Sequence, residues 1–233
     1  MQRLDASALI DLSERGAMLG NARRALLVIE ASGVAAAGSL RLGQRDRLLM
    51  RIRAALFGRE LTAQPRCGAC GEAFEIRFTA ADVGLEGEGD DDAPAAAVIE
   101  GEGGSYTLHA LTADDMIAAE AAGSADRARA TLLTRAAPDA PPGALDPARA
   151  AAALEVLDPL ADISLAVHCP SCGAEDEQML DVPGFVWREI EQRVPRLLRE
   201  VADLARAFHW SERDILAMPA ARRNFYLAAA AAG

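Results

Sequence analysis

Two short cysteine motifs constrain the fold of this chain more than any other feature. Each is a C-x-x-C pair followed by glycine, and together they contain all four cysteines of the chain: Cys67, Cys70, Cys169 and Cys172. Such a turn lets two thiolates face one tetrahedral ion, while the glycine is free to take a positive φ. We therefore expect one closed metal site made by these four residues, with structural zinc as the cofactor.

The spacing between the two pairs is unusual. A free-standing zinc ribbon has roughly 15–20 residues between its C-x-x-C pairs, whereas 98 residues separate Cys70 from Cys169 here. The predicted site therefore joins distant parts of the chain. We interpret residues 80–162, between the two halves of a split ribbon, as an insertion.

Disulfide or redox motifs are the alternative role for these cysteines. A redox C-x-x-C pair normally opens a helix after a buried strand, whereas a strand-like segment follows Cys70 and a polar run follows Cys172. A catalytic metal is disfavoured, because four thiolates leave no position open for water. His168 directly precedes the second pair, and we expect it to support a ligand or to lie on the surface.

The charge of the chain is distributed unevenly. The chain has 24 arginines, no lysine and 35 acidic residues, which gives a net charge of −11. Residues 1–66 hold 11 arginines against 6 acidic residues, residues 67–187 hold 5 against 23, and residues 188–233 hold 8 against 6. The acidic middle repels phosphate backbones, which disfavours nucleic acid as a partner. The basic flanks can instead meet the acidic middle, within one chain or between chains.

The sequence shows neither a targeting segment nor a membrane segment. Residues 1–5 resemble neither a signal peptide nor a transit peptide, and no run of about 20 apolar residues is present to span a bilayer. We expect a cytoplasmic protein without a membrane partner. The reducing compartment also favours metal binding over disulfides.

The first 66 residues predict a helical region. Apolar periodicity indicates helices over residues 7–14, over 22–37 with Asn21 as the N-cap, and over 44–57. The third helix has a clear apolar stripe. Its charged residues are expected to face water: Asp46, Arg47, Arg51 and Arg53.

The middle region predicts strands around both cysteine pairs. Alternating side chains indicate strands over residues 73–79, 163–167 and 177–182. Residues 86–94 (EGEGDDDAP) form a glycine-rich acidic segment, which is typical of a disordered loop and lacks the pattern of a calcium-binding loop.

The insertion predicts a hairpin followed by helices. Strands over residues 97–100 and 105–110 are joined by a glycine-rich turn. The helices that follow are expected over residues 113–122, 124–135 and 147–157.

The last fifth of the chain predicts further helices. A long helix over residues 183–208 has apolar residues at spacings of three and four, and Pro195 inside it predicts a kink or a break. A short helix after Ser211 and a last helix over residues 220–230 follow. Trp210 and Tyr226 are expected to pack between these helices.

These elements predict an α+β fold that is mostly helical, with a split four-cysteine zinc ribbon carrying a long insertion. The chain is divided into an N-terminal helical region (1–66), the split ribbon with its insertion (67–182) and a C-terminal helical region (183–233).

Stretches along nearly the whole chain resemble one protein family. They are E-R-G at 14–16 with R-R-A-L at 23–26, L-G-Q-R-D at 42–46 with R-A-A-L-F-G at 53–58, the two cysteine motifs, L-D-P-L-A-D at 157–162, and W-S-E-x-D-I-L at 210–216 with R-R-x-x-Y-L at 222–227. The family they resemble is that of the baseplate-hub assembly chaperones, or baseplate proteins, of contractile-tailed phages and contractile injection systems. The C-terminal stretch is the most distinctive.

The resemblance implies a non-enzymatic assembly chaperone or adaptor. Such a protein binds baseplate or hub components, in the cytoplasm or on an assembling tail particle. The resemblance also implies that the four cysteines hold the fold. Its most recognisable element is the C-terminal one, marked by six residues: Trp210, Glu212, Asp214, Arg222, Arg223 and Tyr226. Members of the family differ in whether the cysteines are present, so the metal is not the shared function.

The residues themselves offer no catalytic constellation. His109, His168 and His209 are scattered, and Asp114 with Asp115 matches a helix start better than an acid–base pair. We therefore expect a protein that is not an enzyme. The alternative function is a zinc-ribbon nucleic-acid-binding or transcription adaptor, which requires a basic, aromatic-lined ribbon face. The partner protein and the oligomeric state are left open by the sequence.

Overall fold

The computed structural model describes residues 4–87 and 94–231. The fold is α+β and mostly helical, as predicted. The helices in chain order are α1 (Ala6–Gly16), α2 (Asn21–Ala31), α3 (Leu42–Phe57), α4 (Ala113–Glu120), α5 (Ala125–Ala136), α6 (Pro147–Leu157), α7 (Val182–Phe208), α8 (Glu212–Leu216) and α9 (Ala220–Ala231). None of these helices is both long enough and apolar enough to cross a bilayer in the described parts of the chain.

The strands within the described ranges pair as three separate antiparallel hairpins. The pairs are β1 (Leu61–Ala63) with β2 (Ile76–Phe78), β3 (Ala96–Gly101) with β4 (Gly104–His109), and β5 (Ser164–His168) with β6 (Glu175–Met179). The first and third hairpins carry the two cysteine motifs. The second is the hairpin predicted for the insertion, with Gly103 at a φ of +85° in its turn.

The main core is built around α7, a helix of 27 residues. One side of α7 packs against α1, α2 and α3, and the fully buried side chains there include Leu12, Ile29, Leu49 and Ile190. The first and last parts of the chain therefore share one apolar interior. Phe78 of β2 also belongs to this core, which joins it to the first cysteine hairpin.

A second core lies inside the insertion. Ile99 and Leu108 of the β3–β4 hairpin pack with Ala150 and Leu157 of α6. Helix α6 begins as predicted, because Asp146 accepts a hydrogen bond from the N–H of Arg149 and proline occupies the first helical position. The insertion thus has an apolar centre of its own, while α4 packs on α2 of the main core.

The start and end of α2 differ from the prediction. Gly20, and not Asn21, is the N-cap residue, and the carboxylate of Glu120 from α4 accepts the N–H of Ala22 at 2.8 Å. The Asn21 side chain instead donates to Asp181 at 3.2 Å. The helix ends at Ala31 rather than at residue 37, because the chain turns at Gly33 with a φ of +85°.

Two predictions concern α7 and the segment before it. The prediction of a kink or a break at Pro195 is wrong as to the break, because α7 runs through this residue, which lies on its exposed side. The strand predicted over residues 177–182 lies earlier, at Glu175–Met179, because Asp181 caps α7 by accepting the N–H of Gly184 at 3.0 Å.

The expectation that the charged residues of α3 face water is wrong for Asp46 and Arg53. Both are buried. Arg53 forms a two-pronged ion pair with Glu189 of α7, with both N–O distances at 2.7 Å, and donates to the carbonyl of Gly58 at 2.7 Å. Asp46 pairs with Arg45, which is buried too. Ionised side chains are buried when partners of this kind satisfy them.

The predicted acidic loop at residues 86–94 lies mostly outside the described residues, since 88–93 are not described. Glu86 forms an exposed ion pair with Arg59 at 3.1 Å. This contact joins the basic N-terminal flank to the acidic middle within one chain.

Candidate metal centre

The two cysteine motifs have the same local geometry. In each, the N–H of the first cysteine donates to the carbonyl five residues later, and the N–H of the glycine donates to the carbonyl of the first cysteine, all at 2.9 Å. Gly71 and Gly173 have φ values of +74° and +73°. Only a residue without a β-carbon takes this conformation readily, which explains the glycine after each C-x-x-C pair.

Strands flank both motifs, as predicted. The first motif lies between β1 and β2, with an extra bridge between Arg66 and Ala73 below the turn. The second lies at the tip of the β5–β6 hairpin. Strand β2 is shorter than the predicted strand over 73–79, and β1 was missed because three residues are too few to show an alternating pattern.

The fold brings the four sulfur atoms together. They all lie within 4.8 Å of one another. The Sγ atoms of Cys67 and Cys172 are 3.6 Å apart, and those of Cys70 and Cys169 are 3.8 Å apart. A tetrahedral ion with sulfur ligands at about 2.3 Å requires S–S distances of about 3.8 Å. The four thiols are therefore placed as the corners of a candidate metal site.

Each motif contributes one buried and one exposed cysteine. Cys67 and Cys169 are 3% and 2% exposed, whereas Cys70 and Cys172 are exposed. Phe74 and Val167 pack with the two buried cysteines in a small apolar cluster. The site is thus anchored to protein on one side and reaches solvent on the other.

Hydrogen bonds give the first motif an acidic thiol. The N–H groups of Cys70 and Ala69 donate to the sulfur of Cys67 and lower its pKa to about 7 against the effect of burial. The pKa of Cys70 is raised to about 12, because the favourable N–H of Glu72 is outweighed by the other thiols and by burial. A bound cation removes the repulsion among crowded thiolates and favours ionisation of all of them.

A carboxylate links the two motifs. Asp176 of β6 accepts the N–H of Gly68 at 3.4 Å and the side-chain N–H of Gln178 at 2.7 Å. His168 does not approach the four sulfurs, since among the described residues no histidine or carboxylate joins their set. It is exposed on β5 opposite Glu175.

The remaining histidines also lie apart from the centre. His109 and His209 are exposed, at the ends of β4 and α7. Asp115 caps α4, as predicted, by accepting the N–H and hydroxyl of Thr112, both at 2.8 Å. Four thiolates would complete a tetrahedral shell without help from any of these groups.

Two neighbouring stretches singled out in the sequence, residues 14–16 and 23–26, contact one another and α7. Arg24 donates to the carbonyl of Gly16 at 3.0 Å and stacks over Trp187 of α7 at 4.8 Å. Gly16 lies directly against the same Trp187 ring, so that the β-carbon of any other residue at this position would overlap the ring. Trp187 in turn donates to Glu191 at 2.6 Å.

A second junction joins α3 to the end of α6. The N–H of Gly43 donates to Asp158 at 2.9 Å. Burial raises the pKa of nearby Asp46 against the attraction of Arg45, and the charges of Asp181 and Asp158 raise it further. This junction was not predicted, because its parts lie more than a hundred residues apart.

The C-terminal stretch forms an aromatic cluster. Trp210 stacks on Phe208 at 4.7 Å and meets Tyr226 edge-on at 4.8 Å, so both predicted aromatics pack between helices. Arg223 is buried and donates to Glu200 at 3.2 Å. Ser211 caps α8 through the N–H of Asp214.

The remaining residues that mark this stretch are exposed. They are Glu212 and Arg222. Comparisons with protein-family models, with curated proteins and with solved structures find no match to this chain.

Proposed function

We propose that this protein is a non-enzymatic assembly chaperone or adaptor for the baseplate or hub of a contractile tail or injection system. It acts by binding other tail proteins, in the cytoplasm or on an assembling tail particle. The four-cysteine centre serves its fold and not a reaction.

One observation carries the proposal: the stretches that resemble the chaperone family contact each other in pairs. E-R-G meets R-R-A-L through Gly16 and Arg24. L-G-Q-R-D meets L-D-P-L-A-D through Gly43 and Asp158, and the two C-terminal stretches meet through the aromatic cluster. The second contact joins stretches 115 residues apart, whereas in the first and third the two stretches are near neighbours in sequence. The long-range contact supports the architecture that the resemblance implies, and the role is proposed from the resemblance itself.

We infer that the metal is zinc and that it is structural. Four cysteine sulfurs that lie within 4.8 Å of one another are the kind of ligand set that Zn²⁺ has in structural sites. A metal held by both hairpins would fix the two ends of the insertion against each other. In such sites the binding free energy becomes folding free energy.

The charge of the metal module argues against the nucleic-acid adaptor. The exposed residues around the two cysteine motifs include Glu72, Glu75, Glu175 and Glu177. Phosphate backbones are repelled by such a surface. Single-stranded binding also requires exposed aromatic rings, whereas Phe74, beside the first motif, is buried.

The test is co-expression of the tagged full-length chain with the tail proteins of a contractile particle. We expect at least one hub or baseplate component to be retained on the tagged chain at moderate salt. An unrelated tagged protein of similar negative charge serves as the control. Retention of none of these components, or tight binding of DNA or RNA in a gel-shift assay, would contradict the proposal.

A further inference from the structure

The insertion carries an apolar groove between α5 and α6. Two adjoining cavities of about 340 and 360 Å³ make up this groove, and they share Arg129, Leu133 and Pro147 as lining residues. The α5–α6 groove, as we name it, is also lined by Leu132, Ala151 and Leu154.

The groove has an apolar lining because both helices turn one stripe towards it. Helix α5 places Arg129, Leu132 and Leu133 at spacings of three and four, and α6 places Ala151 and Leu154 three residues apart. All three leucines are only half-buried. Within the described chain, Ala136 is the one buried residue of α5. The leucine side chains therefore keep apolar area that a further element can cover.

The charges around the groove are unlike those of the rest of the insertion. All the arginines of residues 80–162 lie on the two groove helices: Arg127, Arg129, Arg135 and Arg149. Arg135 is bound to Asp115. Arg129 has one ion pair in the described chain, to Asp126 at 3.8 Å, and their side chains are 67% and 97% exposed. Asp126 also lines the groove, but a pair this exposed contributes little stability, so Arg129 remains available to a carboxylate of a docked segment.

We propose that the α5–α6 groove docks an amphipathic segment of a partner protein. The segment places apolar side chains between Leu132 and Leu154 and an acidic side chain beside Arg129. Arg129 is the one cation among the described residues that line the groove, and its partner Asp126 is almost fully exposed, so a carboxylate of the docked segment can replace Asp126 as the partner of Arg129. The identity of this partner as a tail protein rests on the proposed function.

The groove can be tested without the partner, by a dye of matching chemistry. Anilinonaphthalene sulfonate combines aromatic rings with a negative charge. We expect saturable fluorescence enhancement with the zinc-loaded full-length chain, and at least a tenfold weaker affinity in Leu132→Asp and in Arg129→Glu. The matched controls are Val156→Asp, which changes an exposed residue of α6 outside the groove lining, and Arg127→Glu. If the dye does not bind, or if the control variants lose as much affinity as the groove variants, the proposed binding site in the groove is wrong.

The co-expression assay then tests the occupant. Loss of a retained tail component in Leu132→Asp and Arg129→Glu, but not in the two controls, supports docking in the groove. If all four variants retain the tail component, docking in the groove is contradicted, while the proposed function is still supported. If the unaltered chain retains no component, the proposed function fails, and the dye titration still decides the groove. A dimer in sedimentation that dissociates in the two groove variants would assign the groove to a second copy and overturn the proposal.

Circular dichroism melting of every variant keeps these results interpretable. Leu132 and Arg129 lie outside both large apolar cores, so the melting temperatures of their variants should stay close to that of the unaltered chain. If Leu132→Asp proves unfolded, the Arg129→Glu variant alone tests the groove, because the Arg129 side chain is mostly exposed and its replacement should not disturb the fold.

Discussion

Asp158, at the end of α6, accepts a hydrogen bond from the backbone N–H of Gly43 in the first turn of α3, across 115 residues of chain. The first N–H groups of a helix have no partner within it, and negative charge is favourable at this end. A residue of the insertion thus caps a helix of the main core. The junction is one of the contacts that hold the insertion against the main core, together with the packing of α4 on α2.

Removing this cap should destabilise the protein. We expect Asp158→Ala to lower the free energy of unfolding by about 1–2 kcal/mol, as loss of an N-terminal helix cap does. Asp162→Ala, in the same stretch but exposed, should change it by less than about 0.5 kcal/mol. Urea unfolding of both variants measures the difference. If the two variants lose the same free energy of unfolding, the hydrogen bond from Gly43 to Asp158 contributes nothing to stability.

The close approach at Gly43 leads to a second prediction. A β-carbon there would overlap the Asp158 carboxylate and lie 2.8 Å from the β-carbon of Leu160. We expect Gly43→Ala to destabilise by about 1–3 kcal/mol through overpacking, although alanine is the better helix former by about 1 kcal/mol. In the Asp158→Ala background the loss should shrink, which a double-mutant cycle by urea unfolding measures. A stabilised Gly43→Ala variant would contradict the contact.

The ion pair of buried Arg53 with half-buried Glu189 of α7 should stabilise the protein more than an exposed ion pair on α7 does. Glu189→Ala leaves Arg53 buried without its carboxylate, and we expect a loss of about 2–4 kcal/mol. Asp203→Ala removes an exposed pair with Arg206, whose side chains are 57% and 77% exposed, and should cost less than about 1 kcal/mol. Chemical unfolding compares the two. Similar losses would mean that Arg53 finds another partner.

Metal content and stability should fall together when a ligand is removed. We expect Cys67→Ser to reduce bound zinc from one ion per chain and to lower the melting temperature, because structural zinc contributes folding free energy. Ser171→Ala, between the two ligands of the second motif, is the matched control and should keep both. Elemental analysis and calorimetry, with and without a chelator, provide the measurements. An unchanged melting temperature after loss of metal would refute the structural role.

The cap of α4 should show a defined pH dependence. Burial of Asp115 acts to raise its pKa, but the N–H of Thr112 and the guanidinium of Arg135 outweigh it and hold the pKa below the ordinary value of 3.8. The stabilisation is therefore complete above pH 3.8 and is lost as the pH falls through the lower folded-state pKa. We expect Asp115→Asn to be less stable by about 1–2 kcal/mol at neutral pH, because the neutral amide loses the charge-assisted hydrogen bonds that the carboxylate accepts from Thr112 and Arg135, with the difference narrowing in acid.

Thermal melts from pH 7 to pH 2 give this difference. Both proteins keep the same cysteines, so acid release of metal cancels between them. Asp114→Asn serves as the control, since Asp114 is exposed on the same helix turn. If the stability difference between the unaltered protein and Asp115→Asn widens in acid, the pKa of Asp115 is raised in the folded state and not lowered.

Local patterns predicted most elements to within a few residues. The C-x-x-C spacing indicated four converging thiols, and the glycine-rich turn between Gly101 and Gly104 indicated a hairpin. The predicted bounds of α6 match the structure, because its cap and first-turn proline are adjacent in sequence. In each of these cases the residues that determine the local structure lie within a few positions of one another in the sequence.

What the sequence did not predict depends on distant partners. Arg53 has the helical position of a surface residue, and only its contact with Glu189, 136 residues later, explains its burial. The cap of α2 comes from Glu120 rather than from the neighbouring Asn21. Periodicity and capping rules contain no information about such contacts, so they also missed the junction of Gly43 with Asp158.

The long separation between the two cysteine pairs has a consequence for synthesis on the ribosome. Chains are made from the N-terminus, and folding follows emergence. A nascent chain that has passed Cys70 holds two thiols and must extend by 98 further residues before Cys169 is added. Helix α7, around which the main core is built, is translated later still. Assembly of the four-thiol site and packing of α1, α2 and α3 on α7 must therefore both wait until residues far later in the chain have been made.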